Sequence, residues 1–305
     1  VCIGGNPVAS GGSLMSAPGF ERRVEALRAR GGRFVVVDPR RTESAAIADE
    51  HLPIQPGTDV YLLLGLLHEL FTAGLVDLGH LATHVDGLER LREAVGRFDP
   101  QALAARTGIA SERVARLARE IAAEPRALVY GRVGACTQEY GGLTIWLIYC
   151  LNLLTGHLDS EGGMMFAEPA VDLTRAYGSK GHYGKFRSRV RKLPEFGNEL
   201  PVATLADEIL TEGRGQVRAL ISFAGNPVLS TPNGRQLDRA LESLEFMVVQ
   251  EIFMNETAKL ADVVLPGTTF LEKNGTFVNS DRRIQRVRQA IEPRPGTRVD
   301  GDITN

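Results

Sequence analysis

The stretch GGNPVAS at residues 4–10 returns as AGNPVLS at residues 224–230, which is 220 positions further along the chain. A longer match lies beyond each copy, where TESAAIADEHLP at residues 42–53 aligns without gaps with NETAKLADVVLP at residues 255–266. Eight of the twelve aligned positions in the longer match are identical or chemically close, at a constant distance of 213 positions. Two matches in the same order predict that one structural plan is present twice in this chain.

Each copy also contains the same order of predicted elements. After the first loop, GFERRVEALRARGG (19–32) has the spacing of an amphipathic helix that ends at two glycines, and RFVVVDPRR (33–41) is typical of a strand covered on both faces. After the second loop, NGRQLDRALESL (233–244) and EFMVVQE (245–251) repeat this order, with Gln250 roughly where Asp38 stands in the first copy. The sequence therefore predicts an α/β fold with two Rossmann-like dinucleotide-binding units, in which parallel sheets are flanked by helices. We place the first unit at residues 1–165, a connecting segment at 166–214, and a second, incomplete unit at 215–305.

Composition excludes several classes of partner. The 35 Lys and Arg residues nearly balance the 37 Asp and Glu residues, and the net charge of −2 favours neither nucleic acid nor a membrane surface. The longest apolar run, LTIWLIYCLNLL at 143–154, is too short to span a bilayer and is interpreted as a buried helix, in which Asn152 is either a core amide or a donor facing the site. The cysteines, Cys2, Cys136 and Cys150, lack metal-ligand spacing and are expected to be buried thiols.

The two loops are the candidate ligand sites. In an open parallel sheet, ligands bind beyond the carboxyl ends of the strands, where backbone amides at a helix start can hold an anion. No GxGxxG or Walker motif is present, so an ordinary dinucleotide or ATP site has no fingerprint here. Asp38 ends the second strand, the position where an acid commonly binds ribose hydroxyls. Asp59, at the start of the helix VYLLLGLLHELF, is either a helix cap with Thr58 or an acceptor for the N1–H and exocyclic amine of guanine.

Taken together, these segments resemble the molybdopterin oxidoreductases of the dimethyl-sulfoxide reductase family, which include formate dehydrogenases and nitrate reductases. The resemblance extends from GGNP through VVVDPRRTESAAIADEHLPIQPGTD, NLLTGHLDSEGG and AGNPVLSTP to NETAKLADVVLP and EKNGTFVNSDRRIQ, covering nearly the whole chain. It implies two dinucleotide-binding units related by a pseudo-twofold axis, which together hold a bis-molybdopterin guanine dinucleotide cofactor with Mo or W. It further implies a molybdenum- or tungsten-dependent oxidoreductase that carries out two-electron chemistry on a small substrate, with an electron-transfer subunit as a possible partner.

The same resemblance implies roles for particular residues. The first nucleotide site would comprise Asn6, Ser10, Asp38, Arg40, Thr42, Gly57 and Asp59. Gly131 would be a tight-turn position at the end of a strand that leads into the long apolar helix. The second would comprise Gly225, Asn226, Ser230, Gln250, Glu256, Thr257 and Asp262. A segment expected near the pterin would contribute Asn274, Gly275, Thr276, Asn279, Arg282 and Gln285.

Some family features are not found in this sequence. The protein ligand to the metal and the cysteines of a possible 4Fe-4S cluster would lie upstream of the matched region, so the chain is expected to be the central, cofactor-binding portion of the enzyme. Residues 164–200 lack the Arg-Gly and Asn-Asn pattern expected of formate dehydrogenases, which makes formate a less expected substrate. Two alternatives stay open: a noncatalytic scaffold resembling the large iron-sulfur subunit of complex I, and a plain guanine-nucleotide-binding module. The sequence does not distinguish a cytoplasmic from a periplasmic location.

Overall fold

A computed structural model describes residues 1–12, 17–166, 183–278 and 284–304. The chain divides into two compact units, Val1–Ala167 and Glu168–Asn305, and residues 183–214 belong to the second of these.

The first unit is built on a four-stranded parallel sheet in the order β3-β2-β1-β4. Its strands are β1 (Cys2–Ile3), β2 (Val35–Val37), β3 (Glu50–Leu52) and β4 (Tyr130–Gly131). The three consecutive valines of β2 are all buried, as expected for a central strand covered on both faces. Between these strands lie α1 (Pro7–Ser10), α2 (Phe20–Ala29) and α3 (Glu43–Ala46).

Further helices, most of them longer, complete the first unit. They are α4 (Asp59–Thr72), α5 (Leu88–Val95), α6 (Pro100–Thr107), α7 (Ser111–Ala123), α8 (Val133–Cys136) and α9 (Gly141–Leu154), with a 3₁₀ turn at Gly79–His84. Helix α4 is nearly apolar throughout because it packs against α6, α7 and α9, and Leu63, Leu66 and Leu67 are fully buried.

Helix α9 answers the question that the sequence left open for Asn152. This side chain is 1% exposed, and its amide bonds the N–H and the carbonyl of Val129 and the carbonyl of Ile148. Asn152 is therefore a core amide that joins α9 to the segment before β4. The opposite side of the helix is less buried than its composition predicts, since Trp146 is 51% exposed. Among the described residues, no helix has both the length and the apolar composition needed to cross a membrane.

One ion pair inside the first unit is largely shielded from water. The guanidinium of Arg113 on α7 donates to Glu50 on β3, with Nε 2.5 Å from Oε1. The Arg113 residue is 9% exposed. This hydrogen bond is the main reason that the pKa of Glu50 lies below its ordinary value.

The second unit contains a three-stranded parallel sheet in the order β7-β8-β9 and two antiparallel hairpins. Its strands are β5 (Tyr183–Arg187), β6 (Pro194–Phe196), β7 (Ala219–Phe223), β8 (Phe246–Glu251), β9 (Val263–Pro266), β10 (Gly275–Val278) and β11 (Ile284–Val287). Its helices are α10 (Leu205–Leu210), α11 (Pro227–Ser230), α12 (Gly234–Glu242) and α13 (Asp300–Thr304), with 3₁₀ turns at Val202–Thr204 and Ala258–Leu260.

Helix α12 shows how one helical face forms the core of the second unit. Leu237, Ala240 and Leu241 recur at the spacing of one helical face, and all three are at most 2% exposed. They pack with Met247 and Val249 of β8. Truncating a fully buried leucine of this kind typically costs about 2–5 kcal/mol of stability.

The predicted α/β architecture, with parallel sheets flanked by helices, is confirmed. The expectation for the thiols requires one correction. Cys2 and Cys150 are buried, and burial raises the pKa of each thiol to about 11. Cys136 is exposed because it ends the single-turn helix α8 on its solvent side.

Candidate functional site

The first loop leaves the sheet at a glycine that no other residue could replace without rearrangement. Gly4 follows β1 with φ of +60°, and its N–H donates to the carbonyl of Val37 at 3.0 Å. A Cβ at this position would lie 2.4 Å from the backbone nitrogen of Ala135. The sharp turn and the close approach of the segment after β4 therefore both require glycine.

Asn6 fastens this loop to α3. Its Nδ2 donates to Glu43 Oε2 at 2.7 Å, and its Oδ1 accepts from the Ser44 hydroxyl at 2.8 Å. The Ser44 oxygen in turn accepts from the N–H of Val8 at 3.0 Å. The donation from Asn6 is one of the causes that lower the pKa of Glu43, after the hydrogen bond from that residue's own backbone. We refer to Asn6, Glu43 and Ser44 as the first clamp.

The second loop carries the same clamp with nearly identical bond lengths. Asn226 Nδ2 donates to Glu256 Oε2 at 2.7 Å, and Asn226 Oδ1 accepts from the Thr257 hydroxyl at 2.8 Å. The Thr257 oxygen accepts from the N–H of Val228 at 3.2 Å. Ser10 and Ser230 correspond too, since each hydroxyl donates to the carbonyl of its loop asparagine, at 3.0 Å and 2.9 Å. The two loops that match in sequence therefore share the same pattern of side-chain hydrogen bonds.

The two matched aspartates stand away from the ligand-facing edge. Asp49 Oδ2 accepts from the N–H of Phe34, and Asp262 Oδ2 accepts from the N–H of Met247, each at 2.7 Å. Both contacts lie at the amino ends of the strands, whereas the loops lie at the carboxyl ends. The structure therefore places Asp262 in a backbone contact apart from Asn226 and its clamp.

The backbone hydrogen bonds show that Glu251, and not Gln250 as predicted, is the residue equivalent to Asp38. The carbonyl of Gln250 accepts from the N–H of Ala224 at 2.8 Å, just as the carbonyl of Val37 accepts from Gly4. Gln250 is therefore equivalent to Val37, and the acid equivalent to Asp38 is Glu251. The constant spacing of 213 positions already pointed to Glu251, because Asp38 and Glu251 are separated by that number. Glu251 Oε2 accepts from the Asn255 side chain at 3.2 Å.

An open cleft of about 410 Å³ lies against the first loop. Asp38 and Arg40 line one wall, and Asp38 Oδ1 accepts from the backbone N–H of Arg40 at 2.9 Å. The remaining lining residues are Gly4, Gly5, Asn6, Ala9, Ser10, Thr42, Arg132 and Val133. Thr42 also caps α3, since its hydroxyl accepts from the N–H of Ala45 at 3.1 Å. The cleft thus brings five of the predicted residues of the first set together.

Asp59 is buried rather than part of the cleft wall. Its residue is 4% exposed at the start of α4, and burial is the main cause that raises the pKa of its carboxyl. Gln138 Nε2 donates to Asp59 Oδ2 at 2.6 Å and partly offsets this rise. Thr58 makes no side-chain cap, because its hydroxyl donates to the carbonyl of Gln55 at 2.6 Å.

The carboxyl edge of the second sheet carries a polar cluster. Gln250 is 3% exposed, and its Nε2 donates to Asp300 Oδ1 at 2.6 Å. Lys273 pairs with the other oxygen of Asp300 and also donates to the carbonyl of Thr268 at 3.3 Å. The buried Gln250 Oε1 and Thr268 Oγ1 have no hydrogen-bond partner among the described residues.

The other predicted residues that the structure describes lie outside the cleft and the polar cluster. Thr276 and Gln285 are exposed on the β10–β11 hairpin, Gly275 begins it, and Asn274 Oδ1 accepts from the N–H of Gln289 at 3.2 Å. Asn279 and Arg282 lie outside the described residues. Three glycines complete the set: Gly57 is exposed with φ of +79°, Gly131 packs against Ile148, and Gly225 lies in the second loop.

Metal ligands are not grouped in the described part of the chain. Across residues 1–12, 17–166, 183–278 and 284–304, no three His, Cys, Asp or Glu side chains are arranged to hold an ion.

Known proteins share this sequence and fold. A family model described as molybdopterin oxidoreductase matches residues 14–305. A formate dehydrogenase alpha subunit of Methanocaldococcus jannaschii is 30% identical over 293 residues, which make up 93% of this chain and 43% of that protein. The assimilatory nitrate reductase of Haloferax mediterranei is 32% identical over 285 residues, 89% of this chain and 39% of that protein. The chain thus spans less than half the length of these relatives.

A solved structure shows the same fold. The acetylene hydratase of Pelobacter acetylenicus matches with a TM-score of 0.77 and 22% identity, covering 99% of this chain and 45% of that one. The resemblance inferred from the motifs is confirmed: this chain belongs to the molybdopterin oxidoreductase family.

Proposed function

We propose that this chain is the cofactor-binding portion of a molybdenum- or tungsten-dependent oxidoreductase, and that each of its two loops receives one guanine-nucleotide arm of a bis-molybdopterin guanine dinucleotide. Family membership implies a molybdopterin cofactor with Mo or W. When bound, that cofactor would supply two-electron oxidation or reduction of a small substrate. An electron-transfer subunit and an upstream 4Fe-4S cluster belong to the same proposal.

The observation that carries the proposal is the repeated clamp. Asn6 and Asn226 each fix a loop at the carboxyl end of a parallel sheet, where ligands of such folds bind. Each loop is followed by a strand with an acid at its carboxyl end, Asp38 directly after β2 and Glu251 as the last residue of β8. We propose two equivalent units, in the pseudo-twofold arrangement implied by the family, for two equivalent nucleotide arms.

The residues of the first cleft fit a nucleotide. The glycines of the loop leave its backbone open to a close approach, and Ser10 and Arg40 offer a hydroxyl and a cation to phosphate oxygens. Asp38 would accept from ribose hydroxyls. Asp59, which is buried outside the cleft wall, would accept from the guanine N1–H and exocyclic amine. In the second unit, Glu251 would take the ribose role, and Gln250 Oε1 is a buried acceptor that still lacks a donor.

Nucleotide preference tests the proposal. GDP should raise the midpoint temperature of the full chain more than ADP at equal concentration, because a ligand that binds only the folded state stabilises it by mass action. Isothermal titration should reach two GDP molecules per chain. One bound GDP would instead match a plain nucleotide-binding module, and equal shifts with GDP and ADP would remove the guanine assignment.

A further inference from the structure

The side-chain amide of Gln138 is held in one orientation by two acceptors. Gln138 lies between α8 and α9, and its Nε2 donates to Asp59 Oδ2 at 2.6 Å and to the carbonyl of Gly134 at 2.5 Å. A backbone carbonyl and an ionised carboxylate can only accept, so the amide nitrogen must face both of them. Turning the amide over would place its oxygen against two acceptors.

The carbonyl that holds Gln138 is itself fixed by the first loop. The N–H of Gly134 donates to the carbonyl of Gly4 at 2.9 Å. A Cβ at Gly134 would lie 2.9 Å from that carbonyl oxygen, so these two backbones are in direct contact. Gln138 therefore bonds the first residue of α4 directly and is linked to the loop after β1 through the backbone of Gly134.

We propose that Gln138 is a positioning residue, which turns the Asp59 carboxylate toward a guanine base and keeps it available as an acceptor. This inference rests on the proposed nucleotide site. A carboxylate has about four acceptor positions, of which Gln138 occupies one on Oδ2 and the backbone N–H of Asp59 occupies another. The positions that remain match the two donors on the guanine edge, whereas adenine presents a different pattern there.

The surroundings of Asp59 raise the pKa of its carboxyl, so the hydrogen bond from Gln138 matters for keeping it ionised. Burial and the negative charge of Asp38 both raise the pKa of Asp59, while the hydrogen bonds from Gln138 and from the backbone N–H of Asp59 lower it. On the neighbouring elements, the Arg106 guanidinium lies 5.0 Å from the ring centroid of Tyr61, two residues further along α4. Glu139, next to Gln138 in sequence, is the main cause that raises the pKa of Tyr140. Gln138 is thus the side chain that opposes protonation of Asp59, and a protonated Asp59 could not accept from both guanine donors.

The experiment measures GDP and ADP affinity of the full chain between pH 8 and pH 4.5. In the native sequence, GDP affinity should fall as Asp59 becomes protonated. Gln138→Leu should move that fall to higher pH by about one unit, the displacement expected for one lost charge-assisted hydrogen bond. Gln138→Glu should move it further, because it places a carboxylate against Asp59. ADP affinity should keep its original pH profile in both variants.

Two controls separate this role from a purely structural one. Gln101→Leu removes a glutamine contact on α6, the donation to Ser111 at 2.7 Å, and should leave the GDP profile unchanged. A carbon-13 titration of aspartate carboxyls, assigned with Asp59→Asn, reads the pKa of Asp59 without ligand and should show it raised in Gln138→Leu.

An unmoved Asp59 titration in Gln138→Leu, or an equal loss of GDP affinity at every pH, would overturn the assignment of Gln138. Absence of GDP preference in the native chain would instead overturn the proposed nucleotide site.

Discussion

Replacing Asn6 by alanine tests whether the clamp stabilises the first loop. Ser44 is fully buried, and its hydroxyl and its N–H both donate to Asn6 Oδ1, at 2.8 Å and 3.2 Å. Two neutral hydrogen bonds contribute about 1 kcal/mol each, and a buried donor left without a partner adds a desolvation cost, so Asn6→Ala should lose about 2–3 kcal/mol. The contact with the exposed Glu43 should add little, because water can replace Asn6 there.

Equilibrium urea denaturation of the full chain measures this loss. The matched variant Asn226→Ala removes one bond to a buried hydroxyl, that of Thr257, and should lose about 1–2 kcal/mol. Ser10→Ala is the control, because it removes an exposed hydroxyl and should change stability by about 0.5 kcal/mol or less. If Asn6→Ala were no more destabilising than Ser10→Ala, the hydrogen bonds of the clamp would not contribute to the free energy of unfolding, and the reasoning would be refuted.

Three further perturbations have expected outcomes. Gly4→Ala should destabilise the first unit far more than Gly11→Ala in thermal unfolding. The two glycines have similar φ values, +60° and +64°, but only at Gly4 would the new Cβ clash with backbone atoms. Asp59→Asn should raise the free energy of unfolding at neutral pH, because a carboxyl whose pKa is raised in the folded state disfavours folding once the pH exceeds its unfolded pKa. The same variant should lose GDP binding. A lower free energy of unfolding in urea denaturation would contradict this reasoning. Arg113→Ala should cost about 1.5–3 kcal/mol, the range for hydrogen bonds to a charged group, because the Glu50 side chain is 24% exposed and keeps Arg33 as a second partner. That difference should shrink as the pH falls through the lowered pKa of Glu50, and a pH-independent loss would argue against the ion pair.

Much of the fold could be predicted because the patterns are local. The valines of β2, the leucines of α4 and the single apolar face of α12 each indicate their element within a short window of sequence. The duplication was readable because the clamp residues keep their spacing in both copies. The partly exposed side of α9 could not be predicted from the sequence, since Trp146 and Tyr149 are large aromatic residues like those that helices commonly bury.

The candidate site was harder to predict, because its contacts join distant positions. Gln138 bonds Asp59 across 79 residues, and Asn152 bonds Val129 across 23, so neither partner could be recognised from spacing along the chain. Glu251 was missed for a different reason. The spacing of 213 positions pairs Glu251 with Asp38, but Gln250 is the first polar residue after the apolar run of the strand and so matches Asp38 by pattern.

The clamp has a consequence for how this chain can vary. In both units the loop is tied directly to the helix or turn that follows the second strand, so its position does not depend on the segment between. The first copy contains seven more residues in that segment than the second, yet the asparagine-to-glutamate bond is 2.7 Å in each. The connection before the helix is therefore the tolerant insertion point, because nine residues separate Ser10 from α2 and three separate Ser230 from α12, whereas the two helices differ by one residue. Its length can change by natural drift or by engineering while the loop geometry stays the same.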